Sequence, residues 1–186
     1  MRQVLALLLV ALGTTQPAYA AQEWVVDTAR STLSFTAQMG DEKFTGHFKK
    51  FESSIRFSPD DLANSAITTA VAMASAVTGA PDRDTALPES TWFDNAKFPQ
   101  AQFVTTTIKA TGRDTYLAEG TLTLRGVSKA VALPFTLMTE NGQTHAVGSV
   151  TIQRNDYGIG QGEFANDAWV KFPVTITLDL WAQPKP

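Results

Sequence analysis

The side chains that could do chemistry are few, and their spacing does not favour it. His47 and His145 lie far apart in the chain, and neither belongs to a His-x-His or His-Glu-x-x-His spacing that would hold a metal. Cysteine is absent, which excludes thiol catalysis, a cysteine-ligated metal and a covalently attached c-type haem. No Gly-x-Ser-x-Gly elbow presents a nucleophilic serine. The 18 carboxylates include none set in a hydrophobic context that would tune a pair for acid and base work. Gly158-Ile159-Gly160-Gln161-Gly162 lacks the final spacing of a dinucleotide loop, and Glu163–Asp167 does not open the long helix such a loop needs. It is expected to be a mobile loop ahead of the last strand. Asp82-x-Asp84 resembles the start of a calcium loop, but Ala86 and Leu87 occupy the next ligand position and the loop glycine. Arg83 and Asp84 are instead expected to fix a long connection through charge-assisted hydrogen bonds. These observations point away from an enzyme and from a metal site.

Composition narrows the class further. Of 186 residues, 44% are hydrophobic and 18% charged, with a net charge of −3. Arg2, the apolar run Val4–Leu12 and the ending Ala18-Tyr19-Ala20 have the three parts of a cleavable export signal. The run is too short to cross a bilayer core of about 30 Å as a helix. Cleavage before Ala21 would remove Arg2 and no carboxylate, shifting the net charge to −4. The remainder, residues 21–186, suits one domain that buries ~70% of its potential surface without needing disulfides. A negative balance with one basic pair, Lys49-Lys50, argues against nucleic acid.

The elements that would position any site read as strands. Leu33, Phe35, Ala37 and Met39 share one face of an alternating segment whose other face is hydroxyl or amide. Phe44–Phe51 and Ser54–Phe57 follow as shorter strands. Ser65–Val77 is ambiguous by propensity, and its β-branched residues favour strand. Asp82–Leu87, before Pro88, is the candidate short helix. Strands return at Gln102–Lys109, Tyr116–Leu124, Ala130–Leu137 and Ala146–Gln153, with Asn141-Gly142 at the centre of one turn. Finally Val170, Phe172, Val174, Ile176, Leu178 and Leu180 alternate with polar residues. Among these, Pro173 requires a bulge, a strand start or a gap in the ladder. Many strands, short turns and little helix imply an antiparallel barrel or a sandwich. A barrel has the advantage of leaving no exposed edges.

Ordered pieces spread from Trp24 to Trp181 carry a resemblance. They include Trp24-Val25-Val26-Asp27, Ser31-Thr32-Leu33-Ser34-Phe35, Phe44-Thr45-Gly46-His47-Phe48 and Thr78-Gly79 with Arg83-Asp84 and Leu87. Trp92–Pro99, Gly120–Lys129 and Arg154-Asn155-Asp156-Tyr157-Gly158-Ile159 complete the set. The chain resembles the YceI-like family of periplasmic polyisoprenoid-binding proteins. Trp92-Phe93 stands where that family typically has Phe-Phe, and Tyr157 where it has phenylalanine.

The resemblance implies an all-β, extended eight-stranded antiparallel lipocalin-like barrel with a small helical insertion. It implies a periplasmic location and non-catalytic binding of a long apolar lipid, a polyisoprenoid or isoprenoid quinone, for storage or carriage. Transient membrane contact and a homodimer are further expectations. Leu33, Phe35, Met39, Phe103, Leu122, Leu124, Leu133, Phe135, Ile176 and Leu178 form the expected lining, equally open to ordinary core packing. Trp92, Phe93 and Tyr157 are expected mouth residues, or else close a packed barrel end. The alternative of a different class is a ligand-free, stress-associated scaffold or protein-interaction module. A filled interior beneath a broad exposed apolar patch would mark it.

Overall fold

A computed structural model describes residues 21–140 and 142–186; the expected export signal at residues 1–20 lies outside the described residues. The strands are β1 (Gln22–Val26), β2 (Thr32–Met39), β3 (Glu42–Phe48), β4 (Phe51–Phe57), β5 (Ala66–Ala72) and β6 (Ala76–Val77). After the helix α1 (Pro81–Ala86) come β7 (Gln100–Gly112), β8 (Thr115–Leu124), β9 (Val127–Glu140), β10 (Gln143–Gln153) and β11 (Pro173–Pro184).

All pairings are antiparallel, and they close a ring. On one side β11 pairs with β10; on the other its two halves pair with β1, through Ala182–Pro184, and β2, through Thr175–Asp179. β1 and β2 are thus successive halves of one wall strand, interrupted by a turn. β3 and β4 are likewise interrupted at Lys49-Lys50, and β5 and β6 by the 3-10 turn Met73–Ser75. Counted by wall strands, the protein is an eight-stranded up-and-down barrel with α1 as a small helical insertion. The closed ring decides the barrel over the sandwich and leaves few free edges.

The breaks have local causes. Phe44–Phe51 is not one strand, because Lys49 and Lys50 both turn their amides to Ser75: Lys49 N donates to Ser75 O at 3.1 Å and Lys50 N to Ser75 Oγ at 3.0 Å. The same serine ends β5, with its hydroxyl donating to Ala72 O at 2.7 Å. Pro173 is the first residue of β11, where its missing amide hydrogen costs no ladder bond. Val170, expected in that strand, instead makes an isolated bridge to Met39. Arg125 and Gly126, at φ +49° and +74°, form the two-residue reversal between β8 and β9.

Two apolar clusters plug the barrel. One joins Phe35, Phe51, Met73, Phe93, Tyr157 and Ile159 beneath α1 and the late loop. The other gathers around Phe57, Tyr116 and Phe135 near the opposite rim. Between them the interior is not filled.

An uncharged cavity as the candidate functional site

The space between the plugs is a cavity of about 370 Å³ whose wall contains no charged residue. Its existence follows from strand alternation. On β9, Val131, Leu133, Phe135 and Leu137 point inward, and on β11 Ile176, Leu178, Leu180 and Ala182 do the same. The intervening β11 side chains face out. Thr175 meets Thr151 at 2.9 Å, and Asp179 meets His145 Nε2 at 2.7 Å. Against His145 stacks Trp181, with ring centroids 4.3 Å apart, and the Arg30 guanidinium lies 3.9 Å over the indole.

Eight of the residues expected at the lining are on this wall: Leu33, Phe103, Leu122, Leu124, Leu133, Phe135, Ile176 and Leu178. The other expected lining residues, Phe35 and Met39, lie elsewhere. Phe35 packs over Gly46 on the neighbouring strand, where any Cβ would overlap its ring, and its centroid is 5.3 Å from that of Phe48. Met39 ends β2 and is 39% exposed.

Trp92, Phe93 and Tyr157 are not on the cavity wall but in the plug beneath the late loop. Trp92 packs against Phe164 at 5.1 Å, and Phe93 lies 6.4 Å from Phe48. Tyr157 is buried, and desolvation, followed by the nearby Asp156 charge, pushes its phenol up. The opposite plug is an aromatic triad. Tyr116 stacks on Phe135 at 5.3 Å and meets Phe57 edge-on at 5.1 Å, while Trp24 Nε1 donates to Phe57 O at 2.9 Å.

The wall has polar interruptions, and two of them are paired hydroxyls. Ser53 Oγ and Thr69 Oγ1 lie 2.8 Å apart across β4 and β5; Thr139 and Thr144 hydroxyls lie 3.0 Å apart across β9 and β10. In each pair one hydroxyl donates to the other, which meets part of their hydrogen-bonding capacity within the wall. The contribution of β4 and β5 goes beyond the expected lining. Its signal was the alternation Phe51, Ser53, Ile55, Phe57 and Ile67, Thr69, Val71, Met73, which a small hydroxyl residue interrupts in each strand.

The connections are held by charges turned to backbone. Buried Arg154, absent from the expected site residues, donates through Nη1 to Ile159 O at 2.7 Å. Its Nη2 reaches Val170 O at 2.6 Å and Asn166 O at 2.8 Å, and Nε reaches Lys171 O at 3.2 Å. Burial lowers its pKa, partly offset by Asp167. The glycine-rich segment expected to be mobile is therefore gripped by one guanidinium, and Gly160 and Gln161 amides also donate to Thr91 O, each at 2.9 Å.

At α1, Asp84 Oδ1 accepts from both Thr78 N and Thr78 Oγ1 at 2.6 Å, which holds its pKa below the usual value. Arg83 Nε donates to Thr78 Oγ1 at 3.3 Å, and the guanidinium lies 4.4 Å over Phe44. The two histidines are on β3 and β10, with β11 and β2 between them in the wall. Among the described residues, no group of three or more His, Cys, Asp or Glu is placed to hold a metal.

Comparison with known proteins agrees with this architecture. The YceI-like domain profile matches residues 24–182. A UPF0312 protein of Pseudomonas savastanoi is 32% identical over 151 residues, covering 77% of this chain and 73% of the relative. One from Shewanella denitrificans is 28% identical over 184 residues, covering 94% and 96%. In structure, the chain is similar to Burkholderia cenocepacia BcnA, with TM-score 0.83, 28% identity and coverage of 86% of this chain and 100% of that one. A polyisoprenoid binding domain from Saccharophagus degradans shares the fold, with TM-score 0.69, 15% identity and coverage of 88% and 99%. The strand order, the uncharged interior and the profile running from Trp24 to Ala182 agree: this chain belongs to the YceI-like family, whose periplasmic, non-catalytic character fits the barrel described.

Proposed function

We propose that this barrel holds one long apolar lipid, a polyisoprenoid or isoprenoid quinone, for storage or carriage in the periplasm. The single observation that carries the reading is the unfilled, uncharged cavity between two packed plugs. A chain of methylene and methyl groups entering it gains about 0.8 kcal/mol for each fully buried CH₂, before the cost of ordering the chain. The cavity lies within the size range of small-molecule sites and has their predominantly apolar lining. An unfilled interior also favours this reading over the ligand-free scaffold, which has no use for it.

Carriage requires brief contact with a membrane. Trp169, 66% exposed, adjoins Met39 through the Gly40 N to Trp169 O bond of 2.8 Å and the Met39–Val170 bridge, offering an apolar tip. A homodimer is the companion proposal, checked by sedimentation over a range of concentrations. For the ligand itself, the test is mass spectrometry of an organic extract from protein purified without detergent from its native periplasm. An isoprenoid in near-stoichiometric amount supports the proposal; an extract with no apolar molecule above the level of a control protein overturns it.

A further inference from the structure

The ring of backbone ladders is interrupted in two places beside the cavity. The β9–β10 ladder stops at Phe135↔Gly148, because Pro134 has no amide hydrogen to extend it. There Val131, Leu133 and Val150 still line the interior, and Lys129 approaches Asp156 at 3.7 Å beyond the end of β10.

The second interruption lies between β1 and β4. Their ladder ends at Trp24↔Ile55, and pairing resumes only at Leu33↔Phe48 between β2 and β3. Meanwhile β1 and β2 stay on β11, through Val26↔Ala182 and Thr32↔Asp179, and β4 stays on β5 as far as Phe51↔Val71. The two sides of the wall part because the chain between Val26 and Thr32 makes a turn of its own. Ser31 Oγ donates to Asp27 O at 2.7 Å, and Arg30 N donates to the same oxygen at 3.2 Å.

Outside this gap is a groove of about 670 Å³. It shares four residues with the cavity, Trp24, Phe51, Ser53 and Ile55, so the same side chains separate the apolar interior from the polar exterior. The groove is lined by the hydroxyl residues Thr28, Ser54 and Thr68 and by Glu23, Glu52, Arg56 and Lys185, two charges of each sign. Lys185 Nζ pairs with Glu23 at 2.6 Å, Arg56 Nε donates to Asn64 O at 2.9 Å, and the carboxylates of Glu23 and Glu52 balance the two cations, so the groove carries no net positive charge. A diphosphate needs an excess of cations, whereas a hydroxyl or carbonyl needs only hydrogen-bonding partners.

We propose that the β1–β4 gap is the lateral mouth of the cavity, and that the ligand's uncharged, hydroxyl- or carbonyl-bearing head rests in the groove while its tail lies inside. This rests on the lipid-binding reading and adds the route and the head-group class. The absence of cysteine makes the test direct. Ser54→Cys places a thiol on the exposed face of β4 in the groove, and Ser149→Cys places one on exposed β10 beside the other gap. Each is alkylated with a bulky maleimide, and capture of tritiated farnesol by the delipidated protein is timed by rapid filtration. Farnesyl diphosphate serves as the competitor that tests the head.

The Ser54 adduct should slow capture about tenfold and the Ser149 adduct by less than about twofold, with farnesol bound about tenfold more tightly than its diphosphate. Equal slowing by both adducts, slowing by Ser149 alone, or slowing by neither overturns the lateral mouth. Equal affinity for the two probes overturns the uncharged head. Failure of the unlabelled protein to take up farnesol overturns the binding reading itself, an outcome separate from a misplaced mouth. If the Ser54 adduct unfolds, as judged by thermal melting, Glu52→Cys supplies a second exposed position in the groove, with the same criteria.

Discussion

Leu178 and Asp179 are neighbours on β11 with opposite surroundings: Leu178 lines the cavity, while Asp179 sits outside, 2.7 Å from His145 Nε2. The two-residue period of a strand imposes the difference, and it makes the wall testable one position at a time. Leu178→Asp buries an unpaired carboxylate, at a cost of several kcal/mol, and should abolish folding or lipid retention. Asp179→Ser should change stability by no more than about 1 kcal/mol and leave retention intact. Urea unfolding beside extracted-lipid mass spectrometry checks both. Normal occupancy and stability in Leu178→Asp would show that the face assignment is wrong.

The hydroxyl pair in the wall offers a second test. Thr69→Val strips Ser53 of its partner and should cost about 1 kcal/mol, because a half-buried hydroxyl is left unsatisfied. Replacing both, Ser53→Ala with Thr69→Val, should recover part of that loss. A double-mutant cycle in urea measures the coupling, and strict additivity would contradict the pairing.

Arg154→Met removes the donors that hold the carbonyls of Ile159, Val170 and Asn166. The expected loss is about 3 kcal/mol or more, with early proteolysis between Arg154 and Pro173. Arg154→Lys should rescue little, since one ammonium cannot reproduce the guanidinium fork. Limited proteolysis that cuts wild type and variant at the same rate would contradict this role.

Asp84 makes the stability of the α1 connection pH-dependent. Its folded pKa is depressed, chiefly by the hydroxyl and then the amide of Thr78, so its contribution is complete above the unfolded value and lost as pH falls through the folded one. Asp84→Asn should therefore lower stability at neutral pH, and the gap from wild type should close on acidification below about pH 4. A gap that persists unchanged to pH 2 would contradict the assignment. Arg83→Ala, which removes the contact over Phe44, should cost about 0.5–1 kcal/mol at neutral pH.

Much of the wall was legible because alternation is a local property. Leu122 and Leu124, or Ile176 and Leu178, declare their common face from spacing alone. Whether that face meets a void is not local, since it depends on how much side-chain volume the other strands deliver. Phe35 shows the difference: its alternation is correct, yet Gly46 on the paired strand gives its ring a seat away from the cavity. Trp92, Phe93 and Tyr157 were readable as closing aromatics but not as members of one particular plug. Arg154 was the least legible. Only the carbonyls of a loop folded around it reveal that a guanidinium, bonded to backbone oxygens, organises the segment before β11.

The central claim, that an apolar ligand occupies the barrel, is tested most directly by filling the space without breaking the wall. Ala146 lines the cavity on β10, paired with Leu180 on β11 and Leu137 on β9. Native mass spectrometry of wild type and Ala146→Phe, both purified without detergent from the native periplasm, compares occupancy in two folded proteins. The account predicts an apolar adduct on wild type that is absent or reduced about tenfold in Ala146→Phe, with melting temperatures within a few degrees. Equal adduct on both proteins, or a bare mass for wild type, would contradict it.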